Sequence, residues 1–473
     1  MQRVNSFRSS VYWDQLLQHK KLFLQDNNKK LNFTLKLDSL NLLIDFSKQL
    51  VNQETIKILC NAAKNLLLPD KINDLLKGHY SNATEGKLVG HTLLREPSPT
   101  QEIALVLNQI DNFIINLYNK KYKNIICLGI GGSYLGPMMA CKALDNYTHD
   151  LAKNLNFYFI ANCDLNSINN ILAKLDPANT IVIVSSKSFT TKETMHNANI
   201  VSNWLNDNSK IFAVTCNVNK ALEWGINIAN IFKFWDFVGG RFSVWSAVGL
   251  PIAIKLGVKN FKKFLSGAYE LDKHFKHTEL SENLPVLMAL IGIWNINFMG
   301  YKSLAIMPYL DALEDLPYYL QQLEMESNGK NIDLQNNIID YDTAPIIWGG
   351  VGCNGQHSYM QMLHQGTQIV PVDFLVTTEG SRLLLINCMA QSQALMQGTN
   401  NYPNNILEKY KYCSGNRPSS IISFPKLTPE VLGALIALYE HKVFVQGIMW
   451  NINSFDQWGV EVGKNLANLI DLG

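Results

Sequence analysis

The chain has 473 residues, 47% of them apolar, and its 41 Lys and Arg nearly balance 39 Asp and Glu. That is material for two or three domains with full cores, and the scattered basic residues give no electrostatic footprint for nucleic acid or an anionic membrane. The eight cysteines stand apart, with no C-x-x-C pair and no Cys/His cluster at zinc spacing, so reduced thiols, no structural metal and a cytoplasmic location are expected.

The first segment, "MQRVNSFRSSVYWDQLLQ", lacks the continuous apolar core of a signal peptide and reads as an amphipathic helix. Residues before about Asn82 look mostly helical, and residues 1–93 are expected to pack as a helical N-terminal segment on the larger of two domains. From Lys123 the pattern is regular: "NIICLGI", "NFYFIAN", "TIVIVSS" and "IFAVTC" are apolar runs separated by helical stretches. Unbroken apolar strands between helices indicate a parallel sheet buried on both faces, hence a doubly wound α/β unit over 94–256. Ligands of such sheets sit beyond the strand C-termini.

Two loops there suit an anion. In "GIGGSYLGP" glycines follow a buried strand and open a helix, whose free amides and positive end favour phosphate; tight strand–helix packing is the alternative. Tyr134 stands where a dinucleotide fingerprint needs its last glycine, and the Lys-Ser/Thr of a P-loop is missing. In "SSKSFTTKET", Ser185, Ser186, Ser188, Thr190 and Thr191 surround Lys187 before a helix; hydroxyls and a cation suit phosphate, although helix capping explains the same residues. Two such loops on adjacent crossovers point to one pocket for a small phosphate ester. Arg241, in "VGGRFSVWSAVGLP", follows two glycines among apolar residues and faces either a pocket or a buried salt bridge.

The same alternation returns over 257–430. "VLMALIGIWNINFMGY", from Val286, carries two Asn and falls short of the roughly 20 apolar residues of a membrane span, so it is read as a core helix. "SLAIMPY", "APIIWGG", "IVPVDFLV" and "SSIISF" read as strands of a second doubly wound sheet. "QQLEMESNGK" closes a helix with Glu324 and Glu326 two positions apart, on nearly opposite faces, so at most one serves a site. His357 is expected near a helix start with His364 one heptad on, and periodicity does not choose between them. Residues 431–473 carry "PEVLGALIALYEHKVFVQGIMW", a long helix, and "NSFDQWGVEVGK".

Seven segments in order, "NATEGKLVGHTLLR", "GIGGSYLGP", "SKSFTTKET", "GGRFSVWSAVGLP", "QQLEMESNGK", "NGQHSYMQMLHQGT" and "NSFDQWGVEVGK", resemble the glucose-6-phosphate isomerase family over about 82–464. A shared phosphosugar-binding (SIS-type) fold alone would explain only the second and third. The resemblance implies two SIS-type domains and interconversion of glucose 6-phosphate and fructose 6-phosphate through an enediolate. It implies no cofactor and no metal, a homodimer in which His357 completes the partner's site, and C-terminal helices that finish the pocket. It assigns Glu326 as the base, His357 and Lys464 to ring opening, and Arg241 is the candidate to steady the enediolate. Ser133, Ser186, Lys187, Ser188 and Thr191 would hold the phosphate, Glu193, Gly240 and Gln457 would line the sugar or steady His357 and Lys464, Gly132 would also bind substrate, and Gln322, one turn before Glu326, would face the same pocket. Glu324 is then expected to be a solvated helix acid. Departures from the family pattern are Ser188 and Cys353, each where Thr is usual, and "WGGVG" for "WGEPG". Two rivals remain, a non-catalytic phosphosugar sensor and an isomerase of another hexose phosphate.

Overall fold

The computed structural model describes residues 6–25, 33–399 and 406–470. The first five residues of the expected N-terminal helix lie outside them; the helix itself runs Val11–Gln25 and buries Trp13, Leu16 and Phe23. In chain order the strands are β1 (Thr34–Leu37), β2 (Leu42–Lys48), β3 (Ser81–Asn82), β4 (Lys87–Leu88), β5 (Asn124–Leu128), β6 (Asn156–Ile160), β7 (Thr180–Ser185), β8 (Ile211–Thr215), β9 (Ile231–Lys233), β10 (Ser303–Pro308), β11 (Ile346–Gly349), β12 (Val372–Thr377) and β13 (Ser419–Phe424).

The first sheet has the order β6-β5-β7-β8-β9, with every neighbouring pair parallel. All residues of β5 and β7 are buried, which is why both read as continuous apolar runs. The chain leaves β5 for β6 on one side and returns to β7 on the other, so the order reverses between β5 and β7. A topological switch point of this kind opens a crevice at the strand C-termini, and the two hydroxyl-bearing loops leave those two strands.

The second sheet has the order β1-β2-β13-β12-β10-β11. Its four later strands are parallel to one another, whereas β2 runs antiparallel to both β13 and the edge strand β1. The N-terminal stretch is therefore not only helical: besides three helices it supplies a hairpin that extends the larger sheet, with Leu42, Ile44 and Phe46 buried on alternate positions of β2.

Two long helical elements pack together: Leu250–His277, kinked where Gly257 leaves helical backbone at φ 73° and ψ 162°, and Pro429–Trp450. Thr428 caps the second by accepting the Val431 amide, and Asn451 ends it in the left-handed region at φ 56°. Among the described residues Pro429–Trp450 is the one helix long and apolar enough to cross a bilayer, and it is wholly buried. The stretch from Val286 is a core helix, Leu284–Ile293, followed by a π turn, Trp294–Phe298.

Candidate active site

Behind β5 the backbone turns into the helix Gly132–Ala143 through Gly131, at φ 58° and ψ −126°, a conformation open to glycine. Gly132 is required for a different reason. A Cβ on it would lie 1.8 Å from the Gly240 carbonyl oxygen and 2.8 Å from the Arg241 amide nitrogen, so the glycine loop and the arginine segment touch backbone to backbone. Gly240 itself has open space where its Cβ would stand. Ser133 is half-buried in the first turn of the helix.

Behind β7 the loop keeps its hydroxyls together. Ser186, buried, shares a 3.2 Å hydrogen bond with Thr191, and Thr190 donates to Ser188 at 2.7 Å. Thr191 occupies the cap position of the helix Lys192–Leu205 but makes no side-chain capping bond, so capping does not explain these residues. Lys187 donates to the carbonyls of Asp236 and Val238 at 2.8 and 3.0 Å, and burial lowers its pKa. Glu193 lies exposed in the first turn, where its carboxylate complements the positive helix end.

Arg241 is 2% exposed. Its Nε donates to Ser327 Oγ at 2.6 Å, Nη1 to Gln457 Oε1 at 2.9 Å, and Nη2 to the carbonyls of Ser454 and Asp456 at 2.7 and 3.0 Å. These bonds fix the plane of the guanidinium and leave Nη1 3.5 Å from Glu326 Oε1. Burial lowers the arginine's pKa and the carboxylates of Glu326, Asp456 and Glu85 oppose it, so the group stays cationic at neutral pH. Of the two alternatives open for this residue the ion pair is present, since Arg241 is buried and paired with a carboxylate that is largely buried.

Glu326 ends a π turn, Gln322–Glu326, that continues the helix Leu316–Gln321. Its side chain is 22% exposed. Gln322, on the same turn, lies against Gly131 and has a buried Oε1 with no protein partner. An unmatched acceptor at the junction of glycine loop and carboxylate suits a hydroxyl-bearing ligand. Glu324 contradicts the expectation of a solvated acid. It is 3% exposed and receives the Lys442 ammonium at 2.7 Å from the helix Pro429–Trp450.

An open cleft runs past this cluster, lined by Lys187, Ser188, Thr191, Gln457 and Lys464 together with Thr84 and Glu85 of the β3–β4 hairpin. Lys464 is exposed and pairs with Glu461 at 2.8 Å. Gln457 joins cleft and cluster, because it both lines the cleft and accepts from Arg241. His357 is not brought to this group: it is exposed, at the end of the five-residue helix Gly352–Gln356 and just ahead of the helix Met360–Gln365. His364, on the next helix, hydrogen-bonds Gln391 at 2.9 Å.

Lys330 and Asp456 went unread in the sequence although both stand inside quoted motifs. Lys330 donates to the carbonyls of Glu326, Ser327 and Asp456 and pairs with the Asp456 carboxylate at 3.3 Å. Burial and then Arg241 push its pKa down to about 8. The Gly-Lys that follows Asn328 was the available signal.

The sequence model of the family described as phosphoglucose isomerase matches residues 45–472. The chain belongs to the phosphoglucose isomerase family. It is 44% identical over 462 residues to glucose-6-phosphate isomerase 1 of Chromohalobacter salexigens, covering 91% of this chain and 83% of that one. It is 41% identical over 511 residues to glucose-6-phosphate isomerase of Ectopseudomonas mendocina, covering 96% and 91%. Among solved structures of the family, a glucose-6-phosphate isomerase from Chlamydia trachomatis superposes with a TM-score of 0.84 at 30% identity, over 98% of this chain and 96% of that one. A phosphoglucose isomerase fold of two α/β units accounts for both sheets.

Proposed function

We propose that this protein interconverts glucose 6-phosphate and fructose 6-phosphate, with Glu326 as the base that carries a proton between C2 and C1. The observation that carries the reading is the Arg241–Glu326 pair at 3.5 Å. A proton alpha to a carbonyl is weakly acidic, and its removal needs a positioned base and a fixed positive charge for the oxyanion that forms. Glu326 takes the C2 proton of the open-chain aldose, the electron pair moves onto the carbonyl oxygen, and Arg241 holds the enediolate. Return of the proton to C1, with the O2 hydroxyl proton passing to O1, gives the ketose. Arg241 supplies the charge that a metal gives other enolising sites, so the step is metal-free. The two hydroxyl loops bind the phosphate through Ser133, Ser186, Ser188 and Thr191, with Gly132, Gly240, Gln322 and Gln457 along the sugar and Glu193 at the helix end.

Ring opening falls to His357 and Lys464. Lys464 borders the cleft in its own chain, whereas His357 is exposed away from it, which supports a homodimer in which His357 serves the partner's cleft. In such a dimer, refolding Glu326→Gln with His357→Ala yields mixed dimers with one intact pocket each, and activity rises to roughly a quarter of wild type if exchange is random. A mixture no more active than the average of the two homodimers, with mixed dimers shown to form, refutes the shared site. The reading as a whole is tested by assaying glucose, mannose and glucosamine 6-phosphates side by side: glucose 6-phosphate is turned over fastest, and preference for either other sugar overturns the assignment.

A further inference from the structure

The turn that carries Glu326 is held from behind by a pair of buried charges. Glu324 and Lys442 are each 3% exposed at the side chain and lie 2.7 Å apart. Asn328 ties this pair to the arginine. Its Nδ2 donates to Glu324 Oε1 at 3.4 Å and to the Val443 carbonyl at 3.0 Å, and its Oδ1 accepts from Ser454 Oγ at 2.6 Å. The Ser454 carbonyl in turn accepts from Arg241 at 2.7 Å. Lys442 borders a small cavity that Asp373 also lines, and Asn295 Oδ1 and Gln446 Oε1 line it without protein partners. The inward face of the turn is thus fixed by electrostatics where packing is incomplete.

A buried ion pair is weak evidence for stability, because desolvation offsets much of its attraction. It can still select one geometry. The turn Gln322–Glu326 is a π turn, a wide form uncommon inside helices and frequent at functional sites. A side-chain tip lies roughly 6 Å from the helix axis, so a rotation of about 10° moves the Glu326 carboxylate by about 1 Å. Displacement on that scale costs about 10²-fold in rate.

We propose that the Glu324–Lys442 pair is a positioning device that sets the rotation of this turn and so holds Glu326 against Arg241; the inference rests on Glu326 being the base. Neither residue touches substrate in this account. Glu324→Gln and Lys442→Met each leave one buried charge unpaired and destabilise the fold, which does not by itself reveal a positioning role. The double variant is decisive when made beside Asp373→Asn, because Lys442 also faces the buried Asp373 carboxyl and this background leaves no unpaired charge. Its Tm returns toward that of the wild type while kcat stays lower by tenfold or more, with KM within about threefold because the phosphate loops belong to the other sheet. A folded double variant with kcat within twofold of the wild type overturns the proposal.

If the double variant does not fold, amide hydrogen exchange of the wild-type protein decides. Protection over 323–328 equal to that of the helix Pro429–Trp450 is expected, and exchange at the rate of exposed loops overturns the proposal. Failure of Glu326 as the base has a separate signature, an active Glu326→Gln, whereas failure of this inference leaves Glu326→Gln inactive and the double variant active.

Discussion

Replacing Gly132 by Ala tests whether backbone contact between the glycine loop and the arginine segment sets the geometry of the site. The added Cβ would stand 1.8 Å from the Gly240 carbonyl oxygen. A carbon and a carbonyl oxygen approach to about 3.3 Å, so the two segments must part by about 1.5 Å. Neither side is the end of a flexible side chain. The Gly240 carbonyl also accepts from Ser243 at 2.6 Å, and the Arg241 carbonyl accepts from Tyr319 at 3.3 Å, so the whole turn moves together. A shift of 1 Å or more between loop and guanidinium costs about 10² in turnover, and the lost packing lowers Tm. Gly240→Ala is the control. Its Cβ meets nothing within 4 Å, so Tm is unchanged and any effect falls on KM, through substrate that shares that space. Formation of glucose 6-phosphate from fructose 6-phosphate, coupled to a dehydrogenase, gives kcat and KM, and differential scanning gives Tm. A Gly132→Ala protein with wild-type Tm and kcat within twofold refutes the reasoning.

Ser186→Ala and Thr191→Ala are expected to raise KM more than they lower kcat, because phosphate is bound alike in ground and transition states; a loss confined to kcat contradicts the phosphate assignment. Asp373, behind the turn, has its pKa pushed up from 3.8 to about 6 by burial, with Lys442 and the Tyr439 hydroxyl opposing and Glu324 adding. A raised folded-state pKa means that this carboxyl's contribution to stability is fully present below pH 3.8 and is lost as pH rises through about 6. Asp373→Asn keeps an acceptor for Tyr439 and removes the titration, so between those pH values the variant gains on the wild type by up to about 3 kcal/mol. Denaturant midpoints at pH 4 and pH 7 check the sign, and a gain in the opposite direction contradicts it.

Motifs tied to local backbone chemistry were readable before any coordinates. The glycine loop, the hydroxyl loop and the Gly-Gly before Arg241 each follow a buried strand or open a helical segment; the first and third meet backbone to backbone, and the second lines the cleft that Gln457 joins to Arg241. Glu324 was misread for a physical reason: its partner Lys442 lies 118 residues away, and nothing local distinguishes a paired acid from a solvated one. The β1–β2 hairpin was obscured by the surrounding helical stretches, although the alternation of Leu42, Ile44 and Phe46 was a period-two signal in the chain. His357 stayed open because periodicity does not separate it from His364. The resemblance supplied its role, and one chain alone does not bring it into the cleft.

The most direct test of the account is proton exchange by Glu326→Gln. Fructose 6-phosphate incubated with wild-type enzyme in D₂O should gain deuterium at C1, as expected when one base removes and returns the proton with some exchange to solvent. Glu326→Gln should bind the sugar phosphate with little change in affinity, lose roughly 10² to 10⁴ in turnover, and leave C1 unlabelled. Deuterium incorporation by a folded Glu326→Gln protein at a rate within tenfold of the wild type would contradict the assignment of Glu326 as the base.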